Sequence, residues 1–349
     1  VTTVTLDSHR IEVAKKGFTT RRVDPDAIAV ATPLEHARVG DLVLAQVRQL
    51  GHHKGLQLRT GRRSDLYVGQ EVIVCVGHRY APDQFEAEGV IDGEDCHLVA
   101  AGGVAGRVLH QHGRITAPTT LTPLALLGDR TGGVINIRDF AMPAAQVRQR
   151  PTTIAVIGTS MNAGKTTTAA CLVRGLVAAG IRTGACKLTG TGAFADVWAM
   201  VDAGADLVYD FTDAGHPSTY KLECTALEEI TRTLIGHLGA AGIPMVVAEV
   251  ADGILQSETR QLLRAPSFRA LVDGIVFAAA DAVSAVGGVQ ILQDLGHRVV
   301  AIGGLISNSP LASREAAEAT GLPVLSREQF MDPETAGDLI APSPVALSA

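Results

Sequence analysis

The sequence predicts an α/β chain, with a parallel-sheet domain over residues 149–335, a smaller β-rich domain before it over 1–148, and a tail over 336–349. Two patterns carry this. Before residue 148 the apolar runs are short and Val-rich: DLVLAQV (41–47), DLYVGQEVIVCVG (65–77) and HLVAAGGVAGRVL (97–109). Gly, Asp and basic turns separate them and no long helical period intervenes, so they read as strands of an antiparallel barrel or sandwich. After Pro151 the runs become continuous, as in strands buried on both faces. TTIAVIG (152–158), IRTGACKLT (181–189), PMVVAEVA (244–251), GIVFAAA (274–280), RVVAIGGLIS (298–307) and LPVLS (322–326) alternate with helical segments. That alternation implies a parallel sheet covered on both sides, with ligands at the carboxyl ends of its strands.

The first of these helices shows its face plainly: Ala169, Leu172, Val173, Leu176 and Val177 share one side, and Gly180 ends it. FAMPAAQVRQRP (140–151) has two prolines and no period, so it reads as a linker. LIAPSPVALSA (339–349) reads as a frayed end.

Composition narrows the function. Apolar residues make up 46% and charged residues 19% of the 349, enough to bury a large core. A net charge of −6 gives no electrostatic case for nucleic acid or an anionic membrane surface. No apolar run reaches the ~18–20 residues that cross a bilayer, and the first thirty residues do not read as a signal peptide. Cys75, Cys96, Cys171, Cys186 and Cys224 are odd in number and never C-x-x-C. They point to a reduced, cytoplasmic setting rather than disulfides or zinc.

The chemistry centres on VIGTSMNAGKTTTA (156–169). The usual phosphate loop is G-x-x-x-x-G-K-[ST]. Counting back from Gly164-Lys165-Thr166 puts Thr159 where the first glycine belongs, and Gly158 stands one place early. The mechanism survives this shift. The strand ends at Gly158 and the chain wraps through Thr159, Asn162 and Ala163. Gly164 then lets the backbone approach phosphate, and the opening N–H groups of the helix point at anionic oxygen. Lys165 is placed for the β- and γ-phosphates and the Thr166 hydroxyl for Mg²⁺, while Thr167 and Thr168 are placed to cap the helix or touch the α-phosphate. A chance GKT in an ordinary strand–helix turn is the competing view. The buried strand before, the small residues within and the amphipathic helix after all oppose it.

GTSMNAGKT resembles the GT-x-x-x-x-GKT loop of the dethiobiotin synthetases, members of the SIMIBI class of P-loop proteins, and GIRTGACKLTGTG (180–192) is similar to that family's second strand. The likeness spans roughly residues 152–330. It implies ATP and Mg²⁺ as cofactors and a small-molecule substrate, and also a homodimer. By resemblance, Lys187 contacts the transferred phosphate or an acidic substrate group, Asp196 and Glu249 ligate Mg²⁺, and Asn308 lies near adenine. The chain departs from the family at Glu249-Val-Ala-Asp252-Gly253, in the polar segment DFTDAGHPSTYKLE (210–223), and in its added β-rich half.

The implied chemistry is that of a synthetase (ligase) passing through an acyl or carbamoyl phosphate. Two alternatives stand beside it: a kinase that stops at the phosphorylated product, and a nucleotide switch or partitioning ATPase. The last lacks the early loop lysine, since Ser160 stands there. SNSP (307–310) replaces the Asn-Lys-x-Asp stretch that selects GTP, which favours ATP. His216 and Asp213 are candidate general bases; a polar loop histidine and a solvated acid are the plain alternatives. His110, His112 and Arg114 permit a metal by spacing but offer no third ligand. GHHKG (51–55) reads as a solvated turn.

Overall fold

The computed structural model describes residues 3–143, 145 and 150–340. By contacts the chain forms two compact units. The first takes in Val1–Ala144, Thr189–Trp198 and Asp210–Thr233; the second Ala145–Leu188, Ala199–Tyr209 and Leu234–Ala349.

Five strands organise the first unit: β1 (Leu42–Gln49), β2 (Glu71–Val76), β3 (Cys96–Ala100), β4 (Val104–Gln111) and β5 (Thr119–Gly128). They pair in a closed circuit, β5 with β1, β1 with β2, β2 with β4, β4 with β3, and β3 back to β5. Of the two expected forms, then, the barrel is found. It is not wholly antiparallel, because β2 and β4 run parallel. Its interior holds Val43, Val47, Val72, Val74, Leu98, Leu121 and Leu126. The alternate residues Leu42, Leu44, Ile73, Cys75 and Leu127 pack outward against Ile11, Val23 and Ile135. Both faces of β1 and β2 are thus covered, which is why LVLA and VIVCV are apolar without alternation. HLVAAGGVAGRVL makes two strands rather than one, folding back at Gly103 with φ +98°. The ten-residue β5, TTLTPLALLG, carries little apolar signal at its start and contains Pro123, which sits at a shift in its register with β1.

The polar segment 210–223 is not a solvated loop at its start. Asp210, Thr212 and Asp213 are 0%, 2% and 5% exposed. Arg21 holds them together: its Nη2 donates to Asp210 Oδ1 at 2.9 Å and Asp213 Oδ2 at 2.5 Å, and its Nη1 to the Thr212 hydroxyl. The Asp210 N–H also donates to Asp213 Oδ2, 2.9 Å. Burial works against the Arg21 charge, but the two carboxylates outweigh it and its pKa is raised. Burial likewise pushes the Asp213 carboxyl up, as expected where two acids share one buried cation.

GHHKG also departs from its reading as a solvated turn. The His53 ring packs edge-on to Phe85 with centroids 5.9 Å apart, and its Nε2 lies 3.2 Å from the Val99 carbonyl. Burial, with Arg79 nearby, pushes its pKa down to about 3. The unfolded chain therefore takes up a proton near pH 6.5 that the folded chain refuses until far lower. Stability is full above pH 6.5 and falls as pH drops through that window, by roughly 3 kcal/mol at pH 4 from this group. Replacing His53 with Gln should remove that share of the acid sensitivity. Urea midpoints measured from pH 7 to 4 read it, and parallel curves for both proteins would count against the assignment.

The second unit is built on a six-stranded sheet. Its strands are β6 (Thr152–Gly158), β7 (Thr183–Lys187), β8 (Val208–Asp210), β9 (Met245–Glu249), β10 (Gly274–Ala278) and β11 (Val299–Gly303). They lie in the order β8-β7-β9-β6-β10-β11. The neighbours of β6 are β9 and β10, both parallel to it. This is the parallel sheet expected of the chain's second half. The expected strand LPVLS gives only one bridge, Val324 to Ile302. Pro323 has no N–H to extend it, and Ser326 already caps the next helix, Arg327–Met331. The helix Lys165–Ala178 buries Ala169, Leu172, Val173 and Leu176 against Ile154 and Val156. Residues 336–340 belong to the helix Pro333–Ile340, with Ala336 and Leu339 in the same core. Residues 341–349 of the expected tail, and 144 and 146–149 of the expected linker, lie outside the described residues.

Candidate functional site

The loop after β6 explains its own displaced glycine. A Cβ on Gly158 would stand 2.8 Å from Lys165 Cγ and 2.9 Å from the Ala278 carbonyl oxygen. The aliphatic stem of Lys165 crosses Gly158, so glycine is required there. Thr159 has no such conflict: its N–H donates to Ala278 O at 3.0 Å, and its φ is not positive. The Thr159 hydroxyl oxygen is buried with no hydrogen-bond partner among the described residues. Asn162 takes φ +65°, a left-handed conformation that asparagine tolerates. Gly164, with φ +96°, caps the helix without any side-chain acceptor.

Two further segments close on this loop. A Cβ on Gly304 would meet the Ala163 carbonyl oxygen at 2.4 Å, and the Leu305 N–H donates to that oxygen at 3.1 Å. On the other side, a Cβ on Gly253 would stand 2.5 Å from Thr159 O, and the Ile254 N–H donates to Gly158 O at 3.0 Å. Asp252, 8% exposed with φ +64°, turns the chain into that contact.

The charged groups sit at the carboxyl ends of the strands. Lys165 is 6% exposed and donates from Nζ to Ser160 O at 2.7 Å. Thr166 donates from its hydroxyl to Glu249 Oε1 at 2.8 Å. Glu249, 2% exposed, ends β9 and is in register with Val156 on one side and Lys187 on the other. Lys187 is 7% exposed at the end of β7. Loop, hydroxyl, carboxylate and second lysine are therefore gathered at the carboxyl end of the sheet. Thr166 and Glu249 offer the hard oxygen donors that suit Mg²⁺.

The remaining expected residues are placed as follows. Thr167 is exposed at the helix start and lines a narrow pocket with Gly304, Leu305, Ser307, Arg327 and Phe330. Asn308 is exposed at the end of the turn Leu305–Asn308; its neighbour Ser307, not Asn308, lines that pocket. Asp196 lies in the first turn of the helix Phe194–Asp202 and groups with the first unit. Asp213 is taken up by Arg21, with Arg22 a further 3.6 Å contact. His216 lines a cavity of the first unit, and burial, then Arg138, push its pKa down to about 4. The reading from sequence missed Arg327, Phe330 and the closing role of Gly304. The last had a visible signal in the paired glycines that end RVVAIGG.

No family model matches the chain, and no curated protein matches it. Among solved structures, the chain is similar to the signal recognition particle receptor FtsY from Elizabethkingia anophelis (14% identity, 57% of this chain and 68% of that one, TM-score 0.38). It is similar to a DUF1611 family protein from Anabaena variabilis (15% identity, 59% and 63%, TM-score 0.40). A ParA family ATPase from Chlorobium tepidum gives 12% identity over 55% of this chain and 90% of that one, with a TM-score of 0.32.

Proposed function

We propose that the second unit binds Mg-ATP and uses it to phosphorylate, and so activate, a small-molecule metabolite. The observation that carries this is the Thr166 hydroxyl on Glu249 Oε1 at 2.8 Å, directly after a loop whose glycines are enforced by close backbone approach. Thr166 and Glu249 would hold the Mg²⁺, which when bound offsets phosphate charge. Lys165, now resting on Ser160 O, would turn its ammonium to the β- and γ-phosphates. Lys187 would hold the transferred group. Bound there, ATP would supply its γ-phosphoryl group to a substrate oxygen with ADP as the leaving group, and the protein's residues would contribute position and charge. The choice of ATP over GTP rests on SNSP at 307–310. An acyl or carbamoyl phosphate, a synthetase outcome and a homodimer rest on the dethiobiotin synthetase-like loop and Lys187 strand.

Titration with ATP and GTP, each with and without Mg²⁺, tests the site. Glu249→Gln should keep nucleotide affinity without metal and lose most of the gain that Mg²⁺ brings, about tenfold or more. An unchanged Mg²⁺ titration would remove Glu249 from the metal shell. A second reading, the kinase, is separated by product: a stable phosphorylated metabolite with one ADP per turnover favours it over the ligase.

A further inference from the structure

We propose that the first unit also carries a binding site for a small zwitterion of the amino-acid class, in the cavity lined by Arg138, His216, Glu229 and Thr233. The cavity measures about 320 Å³, at the small end of the ~300–1,000 Å³ typical of ligand pockets. Its floor and one wall come from a single helix face: Ala226, Glu229, Ile230 and Thr233 follow at i, i+3, i+4 and i+7. Ile230 and Thr233 are 1% and 7% exposed, so the floor is firm. The opposite wall is the turn Ile137–Phe140, which brings Arg138.

This wall is built to close. Gly215 has φ +85°, and a Cβ there would stand 2.8 Å from Arg138 Cα and 3.3 Å from its Cγ. Glycine thus lets the Arg138 turn seat against the residue preceding His216. The Met142 N–H donates to Asp213 O at 2.8 Å and ties the same two segments again. Arg138 and Glu229 stand exposed at the mouth of this cavity, and neither the guanidinium nor the carboxylate has a hydrogen bond or ion pair among the described residues.

Charge decides the ligand class. Arg138 and Glu229 cancel, and His216, with its pKa pushed down to about 4 by burial and Arg138, is neutral at physiological pH. A phosphate would meet Glu229 and a plain amine would meet Arg138. A zwitterion satisfies both, its carboxylate bidentate on the guanidinium and its ammonium on the carboxylate. Thr233 and the neutral imidazole supply further hydrogen bonds.

This goes beyond the nucleotide reading and shares no residue with the phosphate loop, so the assay contains no nucleotide. The full chain is titrated calorimetrically with glycine, L-serine, L-glutamate and L-lysine, and with acetate, methylamine and inorganic phosphate as partial mimics. At least one amino acid is expected to bind about tenfold or more tighter than every mimic, and Arg138→Gln and Glu229→Gln should each weaken it by about tenfold or more. Lys165→Ala should leave it unchanged. No heat from any amino acid at about 10 mM, a mimic binding as tightly, or binding that survives both substitutions would overturn the proposal. The mimics test it on the unaltered protein, whatever the variants do to folding.

Discussion

Lys165→Ala is expected to weaken Mg-ATP binding by about 100-fold and to abolish turnover. Truncating one side of a buried, hydrogen-bonded charge contact costs about 2–5 kcal/mol, and ~2.7 kcal/mol is two decades in affinity. The loop should survive the change. The loop's course is fixed by backbone bonds to Ala278, Gly158 and Ala163, none of which the substitution removes. Loss of binding with an unchanged melting temperature in the absence of nucleotide is therefore the expected pair of results. Full ATP affinity in Lys165→Ala would refute the site. Gly158→Ala offers a separate check, because its Cβ would collide with the lysine stem and the Ala278 carbonyl oxygen without removing the ammonium.

Arg21→Leu should be the most damaging change in the first unit, costing roughly 3–5 kcal/mol at pH 7. It strands Asp210 and Asp213, both nearly inaccessible, beside one another, with Arg22 at 3.6 Å from Asp213 the cation that remains. Burial already pushes the Asp213 carboxyl up, and loss of the Arg21 guanidinium removes the main influence that opposes it. The sign follows: protonated Asp213 fits the fold better than the charged form, so the variant's deficit narrows as pH falls and widens as pH rises. Chemical denaturation of both proteins at pH 5 and pH 8 measures this. A deficit that is small, or that widens on acidification, would show that Arg21 is not the cation compensating the pair.

The sequence was most legible where one physical requirement acts locally. TTIAVIG, GACK, MVVAE and GIVFA are apolar because both faces of the sheet are covered, and each became a strand. GTSMNAGKT announced its loop because close backbone approach leaves few residue types open. The sheet order was not legible: nothing in MVVAE says that it inserts between β6 and β7, since that depends on connections over the sheet. The segment 210–213 misled for a different reason. Polar residues suggest solvent, but Asp210 and Asp213 are buried because a cation 189 residues away in sequence compensates them. His53 is hidden in the same way, its burial set by Phe85 and Val99, which no local pattern reveals. Lys187 and Glu249 end their strands two residues before the apolar runs 181–189 and 244–251 do, because the chain turns into the loops there. Arg327 and Phe330 come from a helix whose approach to the loop has no short-range signal.

The discontinuity of the first unit has a consequence for biosynthesis. By the time Gly128 leaves the ribosome, all five barrel strands are available to pair. Asp210 must still be translated, which takes roughly 4–16 s at ~5–20 residues per second. Throughout that interval the nascent barrel displays an uncompensated guanidinium at Arg21 and no segment Thr189–Trp198 or Asp210–Thr233 to complete it. The growing chain thus passes through a stage in which Arg21 stays hydrated until its acidic partners arrive.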